Sequence, residues 1–132
     1  MWIVFLVSCV YADFVDLPKL NARINEVTIS GFSSGAFMTA QMHYALSEYI
    51  HGAAIFAGIP YTCTDGIYER SIEACREGPV DISLKTLIDR TEQLSSQKLI
   101  SDTNNLIASR VYIFSGLNDT TVLPEVVDYT NQ

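Results

Sequence analysis

The sequence predicts an α/β fold, a parallel sheet flanked by helices. Three segments have strand character: residues 24–30 (INEVTIS) alternate and are rich in β-branched side chains, residues 53–57 (AAIFA) are wholly apolar, and residues 110–114 (RVYIF) form a third such run. Residues 34–49, between the first two, have apolar side chains at helical spacing. Because strands and helices alternate along the chain, a parallel sheet covered by helices is favoured. Three strands make an incomplete sheet of this kind.

The helices are predicted from periodicity and capping residues. In residues 34–49 the apolar stripe consists of Met38, Met42, Ala45 and Tyr49, which we interpret as core packing. Gly52 follows at a C-cap position. A second helix is expected over residues 81–92 with Asp81 as its N-cap, and residues 125–129 begin a third.

The first residues predict export. Residues 1–12 (MWIVFLVSCVYA) contain no charged side chain, and their apolar run is too short to span a bilayer, which takes about 20 residues. Val10 and Ala12 occupy the −3 and −1 positions of a cut before Asp13, which is typical of a signal peptide. The mature domain would then comprise residues 13–132 and be secreted. The alternative is a buried N-terminal strand.

Cysteine usage agrees with an oxidising compartment. After signal cleavage the chain keeps Cys63 and Cys75, which most simply form a disulfide with each other. Two free buried thiols are the alternative. We expect no metal site, because two cysteines without a nearby histidine cannot fill a tetrahedral zinc shell.

The chain is acidic, with a formal net charge of −7. An acidic surface repels phosphate backbones and anionic lipid headgroups. We therefore expect neither nucleic acid nor, once the signal is removed, a membrane as a partner.

A candidate nucleophile lies between the first strand and the first helix. The residues from Gly31 to Gly35 read G-F-S-S-G, a G-x-S-x-G sequence in the strand–turn–helix context that such an elbow needs. Ser33 is the predicted nucleophile, and the backbone N–H of Ser34 the predicted oxyanion donor. Two alternatives remain: a Gly/Ser-rich turn in which either serine only caps the helix, and Ser34 as the nucleophile.

A candidate acid follows the third strand. Asp119 lies three residues beyond Gly116, just past the carboxyl end of that strand. In this position a carboxylate could orient a catalytic histidine and stabilise its charged form. The chain order of serine before aspartate fits α/β-hydrolases. The alternative is a structural Asx turn at Asn118 or Asp119. Asn118 also begins an N-x-T sequon, which we interpret as accidental.

The base is missing from this arrangement. The two histidines are His43 and His51, and His43 lies ten residues beyond Ser33 on the same predicted helix. At a rise of about 1.5 Å per residue its backbone would be roughly 15 Å from the elbow. We expect both to be packed or solvated residues rather than a base. The expectation is therefore either a chain truncated before its catalytic histidine or a decayed hydrolase.

Two stretches resemble the secreted poly(3-hydroxybutyrate) depolymerases of the single-domain, circularly permuted type. Residues 29–63 (ISGFSSGAFMTAQMHYALSEYIHGAAIFAGIPYTC) are similar to that family's elbow, helix and following strand, and residues 110–122 (RVYIFSGLNDTTV) to its acid-bearing strand and loop. The resemblance implies part of an α/β-hydrolase fold, with Ser33 as nucleophile, Ser34 as oxyanion donor and Asp119 as acid.

The expected function is hydrolysis of carboxylic esters through an acyl-enzyme, on a polyester or a small ester. We expect a monomer that needs no metal or organic cofactor. The main alternative is a non-catalytic secreted protein on a decayed hydrolase scaffold. A peptidase on the same fold is a third possibility.

Overall fold

The computed structural model describes residues 16, 18–23, 25–67, 75–76 and 83–132. The predicted signal peptide, residues 1–12, and the predicted N-cap Asp81 lie outside these ranges. The described elements, in chain order, are β1 (Val27–Phe32), α1 (Ser34–Ala45), β2 (Ile50–Phe56), α2 (Leu84–Ser96), a 3₁₀ helix (Thr103–Ala108), β3 (Arg110–Phe114) and α3 (Pro124–Thr130).

The three strands form one parallel sheet in the order β1-β2-β3, so the predicted fold class is confirmed. The central strand β2 pairs with both neighbours, and Phe56 lies opposite both Phe32 and Phe114. The carboxyl ends of all three strands are therefore level at one edge of the sheet. In a parallel α/β sheet this edge is where binding sites form.

The side of α1 that faces the sheet consists of small side chains. Ala36 and Ala40 are fully buried and pack against Ala53 and Ile55 of β2. The prediction that Met38 and Tyr49 pack in the core is wrong, because their side chains are 58% and 59% exposed. Alanines let the helix axis approach the strands closely, and the long side chains of the predicted stripe consequently project away from the sheet.

The boundaries of α1 and β2 also differ from the prediction. The helix ends at Ala45, and its C-cap is Leu46 rather than Gly52. Gly52 instead lies within β2, where an added Cβ would be 3.0 Å from the carbonyl oxygen of Arg110 on β3. Gly52 thus permits the close approach of two strands rather than the end of a helix.

The start of α2 also differs from the prediction. The helix runs from Leu84 to Ser96, and its N-cap is Ser83, whose side chain accepts a hydrogen bond from Thr86 N–H at 3.4 Å. A serine hydroxyl caps a helix as well as a carboxylate does, so sequence alone did not distinguish Ser83 from Asp81.

A second core lies beyond the carboxyl ends of the strands and contains the disulfide. Cys63 and Cys75 are bonded, with their Cα atoms 5.9 Å apart, a usual separation for a disulfide. Both are buried, in a cluster with Ile59 after β2 and with Val122 and Val126 around the start of α3. The disulfide thereby closes a loop between β2 and α2, and this loop packs against the segment that follows β3.

In the part of the chain that the structure describes, no helix combines the length and apolar character that crossing a membrane requires. The same ranges contain no cluster of three or more histidine, cysteine, aspartate or glutamate side chains placed to hold a metal ion.

We predict that the disulfide is a main contributor to stability. Replacing both Cys63 and Cys75 by alanine should lower the free energy of unfolding by roughly 3 kcal/mol, because the short loop between them no longer restricts the unfolded chain. Chemical denaturation measured by circular dichroism would test this. A double variant within about 0.5 kcal/mol of the native chain would contradict it.

Candidate active site

Ser33 lies in the tight turn between β1 and α1. Its backbone has φ 54° and ψ −121°, a positive φ that is rare and strained for a residue with a side chain. Two hydrogen bonds hold this bend: Ser33 N–H donates to Phe56 O at 3.0 Å, and Phe37 N–H donates to Ser33 O at 3.0 Å. The Ser33 side chain makes no capping hydrogen bond. The alternative in which Ser33 merely caps the helix therefore does not describe this turn.

The bend brings β1 and α1 into contact at Gly31. A Cβ on Gly31 would lie 2.2 Å from the carbonyl oxygen of Gly35 and 2.7 Å from the nitrogen of Ala36, distances that real Cβ atoms do not show. Gly35 differs, since an added Cβ there would have no neighbour within 4 Å among the described residues. Of the two glycines in the motif, only Gly31 is required by this contact.

The N-terminus of α1 supplies backbone donors beside Ser33. The first N–H groups of a helix have no partner within it, and the helix dipole makes this end positive. Ser34 is the first residue of α1, and its N–H donates to no backbone carbonyl of the described residues. It is therefore free to donate to an oxyanion formed at Ser33.

Asp119 is held in the loop after β3 by backbone hydrogen bonds. Its N–H donates to Gly116 O at 3.0 Å, and its Oδ1 accepts from the N–H groups of Thr121 at 2.8 Å and Val122 at 3.0 Å. Bonds from Val122 and Thr121 to the charged carboxylate lower the pKa of Asp119 below its ordinary value of 3.8. The group is thus a carboxylate at neutral pH.

The sequence allows Asp119 to be either a structural Asx turn or an acid, and the geometry of the loop is compatible with both. Oδ1 of Asp119 binds the two backbone donors, whereas Oδ2 has no hydrogen-bond partner among the described residues. One carboxylate oxygen can therefore hold the loop while the other remains available to an imidazole. This turn is the Asx turn that the sequence predicts as the alternative at Asp119.

The strand register brings the two candidate residues to the same edge of the sheet. Ser33 directly follows Phe32, and Asp119 comes five residues after Phe114. Because Phe32 and Phe114 lie on either side of Phe56, their backbones are about 10 Å apart at the usual strand spacing. A loop of five residues can readily span that distance.

His43 is hydrogen-bonded away from the elbow. Its side chain is 3% exposed, and its Nε2 lies 2.6 Å from Ser109 Oγ, with which it shares a hydrogen bond. Ser109 immediately precedes β3, so His43 is held toward the amino edge of the sheet, opposite the elbow. Burial lowers the pKa of His43 below 6.5, because the charged imidazolium is poorly solvated there. No local sequence pattern predicts this pairing, because the two residues are 66 positions apart.

His51 does not reach the elbow either. It is an exposed side chain at the second position of β2, and therefore also at the amino edge. A cavity of about 450 Å³ is lined by Ala40, His43 and Tyr44 of α1 together with residues of α2 and β3. Neither Ser33 nor Asp119 lines it, so it is a feature separate from the elbow.

Comparison with known proteins finds depolymerases among the chain's relatives. No protein-family model matches the chain. A poly(3-hydroxybutyrate) depolymerase of Delftia acidovorans is 38% identical over 115 residues, which are 86% of this chain and 23% of the relative. A polyhydroxybutyrate depolymerase of Talaromyces funiculosus is 34% identical over 113 residues, 85% of this chain and 32% of the relative. The chain is a homologue of poly(3-hydroxybutyrate) depolymerases.

Solved structures extend the likeness to three dimensions. A serine-to-alanine variant of a poly(3-hydroxybutyrate) depolymerase, complexed with an R3HB trimer, superposes with a TM-score of 0.75 at 33% identity, covering 87% of this chain and 35% of that one. The depolymerase from Penicillium funiculosum gives a TM-score of 0.73, also at 33% identity, covering 84% and 34%. The chain thus spans about a quarter to a third of the length of these depolymerases.

The two glycines of the elbow should respond differently to substitution. We predict that Gly31→Ala lowers the free energy of unfolding by about 3 kcal/mol or more, because its methyl group would overlap the backbone of Gly35. Gly35→Ala, in open space on α1, should be neutral or stabilising by up to about 1 kcal/mol. Denaturation of both variants would test the difference, and equal effects would contradict it.

Burial of His43 predicts a stability that falls in mild acid. The folded pKa lies below the unfolded value of 6.5, so the unfolded chain binds more protons and the free energy of unfolding decreases as the pH falls below about 6.5. His43→Gln, which cannot titrate, should flatten this dependence between pH 7 and pH 5. Denaturation curves at several pH values would measure it.

Ser109→Ala is the matched control for this measurement. It removes the hydrogen bond to His43 but keeps the titrating ring, so the pH dependence should persist while overall stability decreases by about 1 kcal/mol. A native chain whose unfolding free energy is the same at pH 5 and pH 7 would contradict the prediction.

Proposed function

We propose that this chain carries the nucleophile, one oxyanion donor and the acid of a secreted serine esterase that cleaves polyesters of 3-hydroxyalkanoates or their oligomers. Ser33 is the nucleophile, Ser34 N–H the donor and Asp119 the acid. The observation that carries the proposal is the positive φ of 54° at Ser33, with a side chain that makes no capping hydrogen bond. A strained serine at the carboxyl edge of the sheet, next to a helix N-terminus, is the arrangement that a reactive hydroxyl needs.

The chemistry follows from these positions. Ser33 Oγ attacks the ester carbonyl carbon while a base accepts the hydroxyl proton, and Ser34 N–H donates to the oxyanion of the tetrahedral intermediate. The carbon–oxygen bond to the alcohol portion then breaks, the base returns its proton to the leaving oxygen, and the acyl group remains on Ser33. Water repeats the sequence and releases the carboxylic acid. These steps require no cofactor.

The base in this proposal is a histidine from outside these 132 residues. The pairing of His43 with Ser109 and the position of His51 on β2 support this, since both rings belong to the amino edge of the sheet. Asp119 would accept a hydrogen bond from the imidazole through Oδ2, while Oδ1 stays on the backbone of its own loop. The 132-residue chain by itself should therefore hydrolyse esters negligibly.

The substrate class is supported by the named relatives. The curated relatives are called poly(3-hydroxybutyrate) and polyhydroxybutyrate depolymerases, and one solved neighbour is complexed with an R3HB trimer. A polyester is uncharged along its length, so the acidic balance of this chain does not repel it. The disulfide supports secretion, because such bonds persist in oxidising compartments. The signal peptide remains part of this proposal.

A non-catalytic secreted protein on the same scaffold is the second candidate. The observation that favours it is the hydrogen bond between His43 and Ser109, which leaves the elbow without a base from α1. The strain at Ser33 argues the other way, because glycine would adopt the same backbone at lower cost. Reading the coding sequence downstream of Gln132 for further strands and a histidine separates the two candidates.

Substitution at Ser33 tests the esterase directly. In a chain extended to include the base, Ser33→Ala should abolish fluorophosphonate labelling and lower kcat on a p-nitrophenyl ester by roughly 10⁶-fold. Asp119→Asn should lower kcat by about 10⁴-fold, because the base loses its orienting carboxylate. The measurements are mass spectrometry of the labelled peptide and initial rates.

Ser34→Ala is the matched control, since it removes the neighbouring hydroxyl but keeps the backbone N–H that acts on the oxyanion. Its labelling and kcat should stay within a few-fold of the native chain. Labelling that survives Ser33→Ala, or is lost in Ser34→Ala with the fold intact, would refute the assignment of the nucleophile. Turnover by the unextended chain above its Ser33→Ala background would refute the need for an outside base.

A further inference from the structure

The loop that carries Asp119 has few contacts on its outer side. Leu117 is 92% exposed, and Asn118, Thr120 and Thr121 are also exposed. Packing contacts therefore do not fix the outer half of the loop. Its buried point is Val122, which is 1% exposed and whose N–H donates to Asp119 Oδ1 at 3.0 Å.

Val122 and the residue after it are attached to the disulfide. Val122 belongs to the same buried cluster as Cys63 and Cys75. Leu123 N–H donates to the carbonyl oxygen of Arg76 at 3.1 Å, and Arg76 directly follows Cys75. A short path thus runs from the disulfide through Arg76 and Leu123 to Val122, and from there to the carboxylate.

We propose that the Cys63–Cys75 disulfide, through the hydrogen bond between Arg76 and Leu123, is the positioning device for the Asp119 carboxylate. The covalent bond fixes Arg76 relative to the end of β2, and Arg76 in turn fixes the start of α3. Phe56 O of β2 also accepts a hydrogen bond from Ser33 N–H. The positions of the proposed nucleophile and of the proposed acid are therefore both set relative to β2. Cys63, Cys75 and Leu123 are therefore positioning residues, not catalytic ones.

The physical reason for such a device is geometric. An acid that orients a histidine must hold its free oxygen in place, and a displacement of about 1 Å in a reacting group can reduce the rate roughly 10²-fold. A carboxylate on an exposed loop lacks that precision unless its backbone is tied to a rigid element. The consequence for catalysis rests on the proposed function, whereas the attachment itself does not.

The attachment is measured without any enzyme activity. In the 132-residue chain, ¹³C NMR titration of the Asp119 carboxyl and the amide shifts of Thr121 and Val122 report the hydrogen bonds to Oδ1. In a Cys63→Ala, Cys75→Ala double variant we expect the Asp119 titration to move up toward its ordinary value, because the two amide donors are no longer held. Asn104 N–H, which donates to Asp102 Oδ1 at 2.9 Å, is the internal control and should keep its shift.

A second pair of variants leaves the disulfide in place. Leu123 has φ −61°, which proline can adopt, so Leu123→Pro removes the N–H that binds Arg76 without requiring a new φ at this position. Leu123→Ala keeps that N–H and shortens the side chain. The Asp119 titration should move upward in the proline variant and stay native in the alanine variant. This pair decides the question if the double cysteine variant does not fold.

Native Asp119 titration in folded Leu123→Pro overturns the proposal, as does an equal shift in Leu123→Ala. In an extended chain with its base, Leu123→Pro should lower kcat about tenfold or more with KM within twofold, whereas Leu123→Ala should preserve both. If Asp119→Asn leaves kcat of that chain unchanged, the proposed function fails. The NMR titration still tests whether the disulfide positions the Asp119 carboxylate, because it does not depend on activity.

Discussion

The close passage of β1 against the first turn of α1 is the constraint on which the rest of the site depends. Gly31 lies so near the backbone of Gly35 that no side chain fits between them, and the chain turns there through a positive φ at Ser33. The hydrogen bond from Ser33 to Phe56 ties this bend to the central strand. The serine is thus presented by backbone geometry before any side chain takes part.

The central strand relates the two halves of the site. Because β2 pairs with both β1 and β3, the ends of the outer strands are level, and the loops that follow them share one edge. The same segment continues into the buried cluster that contains the disulfide and the start of α3. Ser33 and Asp119 are therefore positioned from one element, although 86 residues separate them in the sequence.

The sequence predicted best where local rules decide the structure. β3 was predicted with its observed bounds. The elbow was predicted because a G-x-S-x-G sequence between a strand and a helix permits the close approach that a tight turn requires. The side of α1 that packs on the sheet was predicted wrongly, because the prediction followed the long apolar side chains and not Ala36 and Ala40. Close packing of a helix on a sheet requires small residues. The contacts of His43 with Ser109 and of Leu123 with Arg76 join distant segments, and no local pattern encodes them.

The strain at Ser33 bears on whether this scaffold is an enzyme or a decayed one. A non-glycine residue at such a backbone position costs of order 1–3 kcal/mol. Glycine at this position would relieve the strain. The serine side chain makes no capping hydrogen bond that would offset that strain. Once catalysis no longer mattered, a substitution to glycine would stabilise the fold. A serine at this position, with a carboxylate positioned at the same sheet edge, is therefore easier to explain by a reactive hydroxyl than by a structural role.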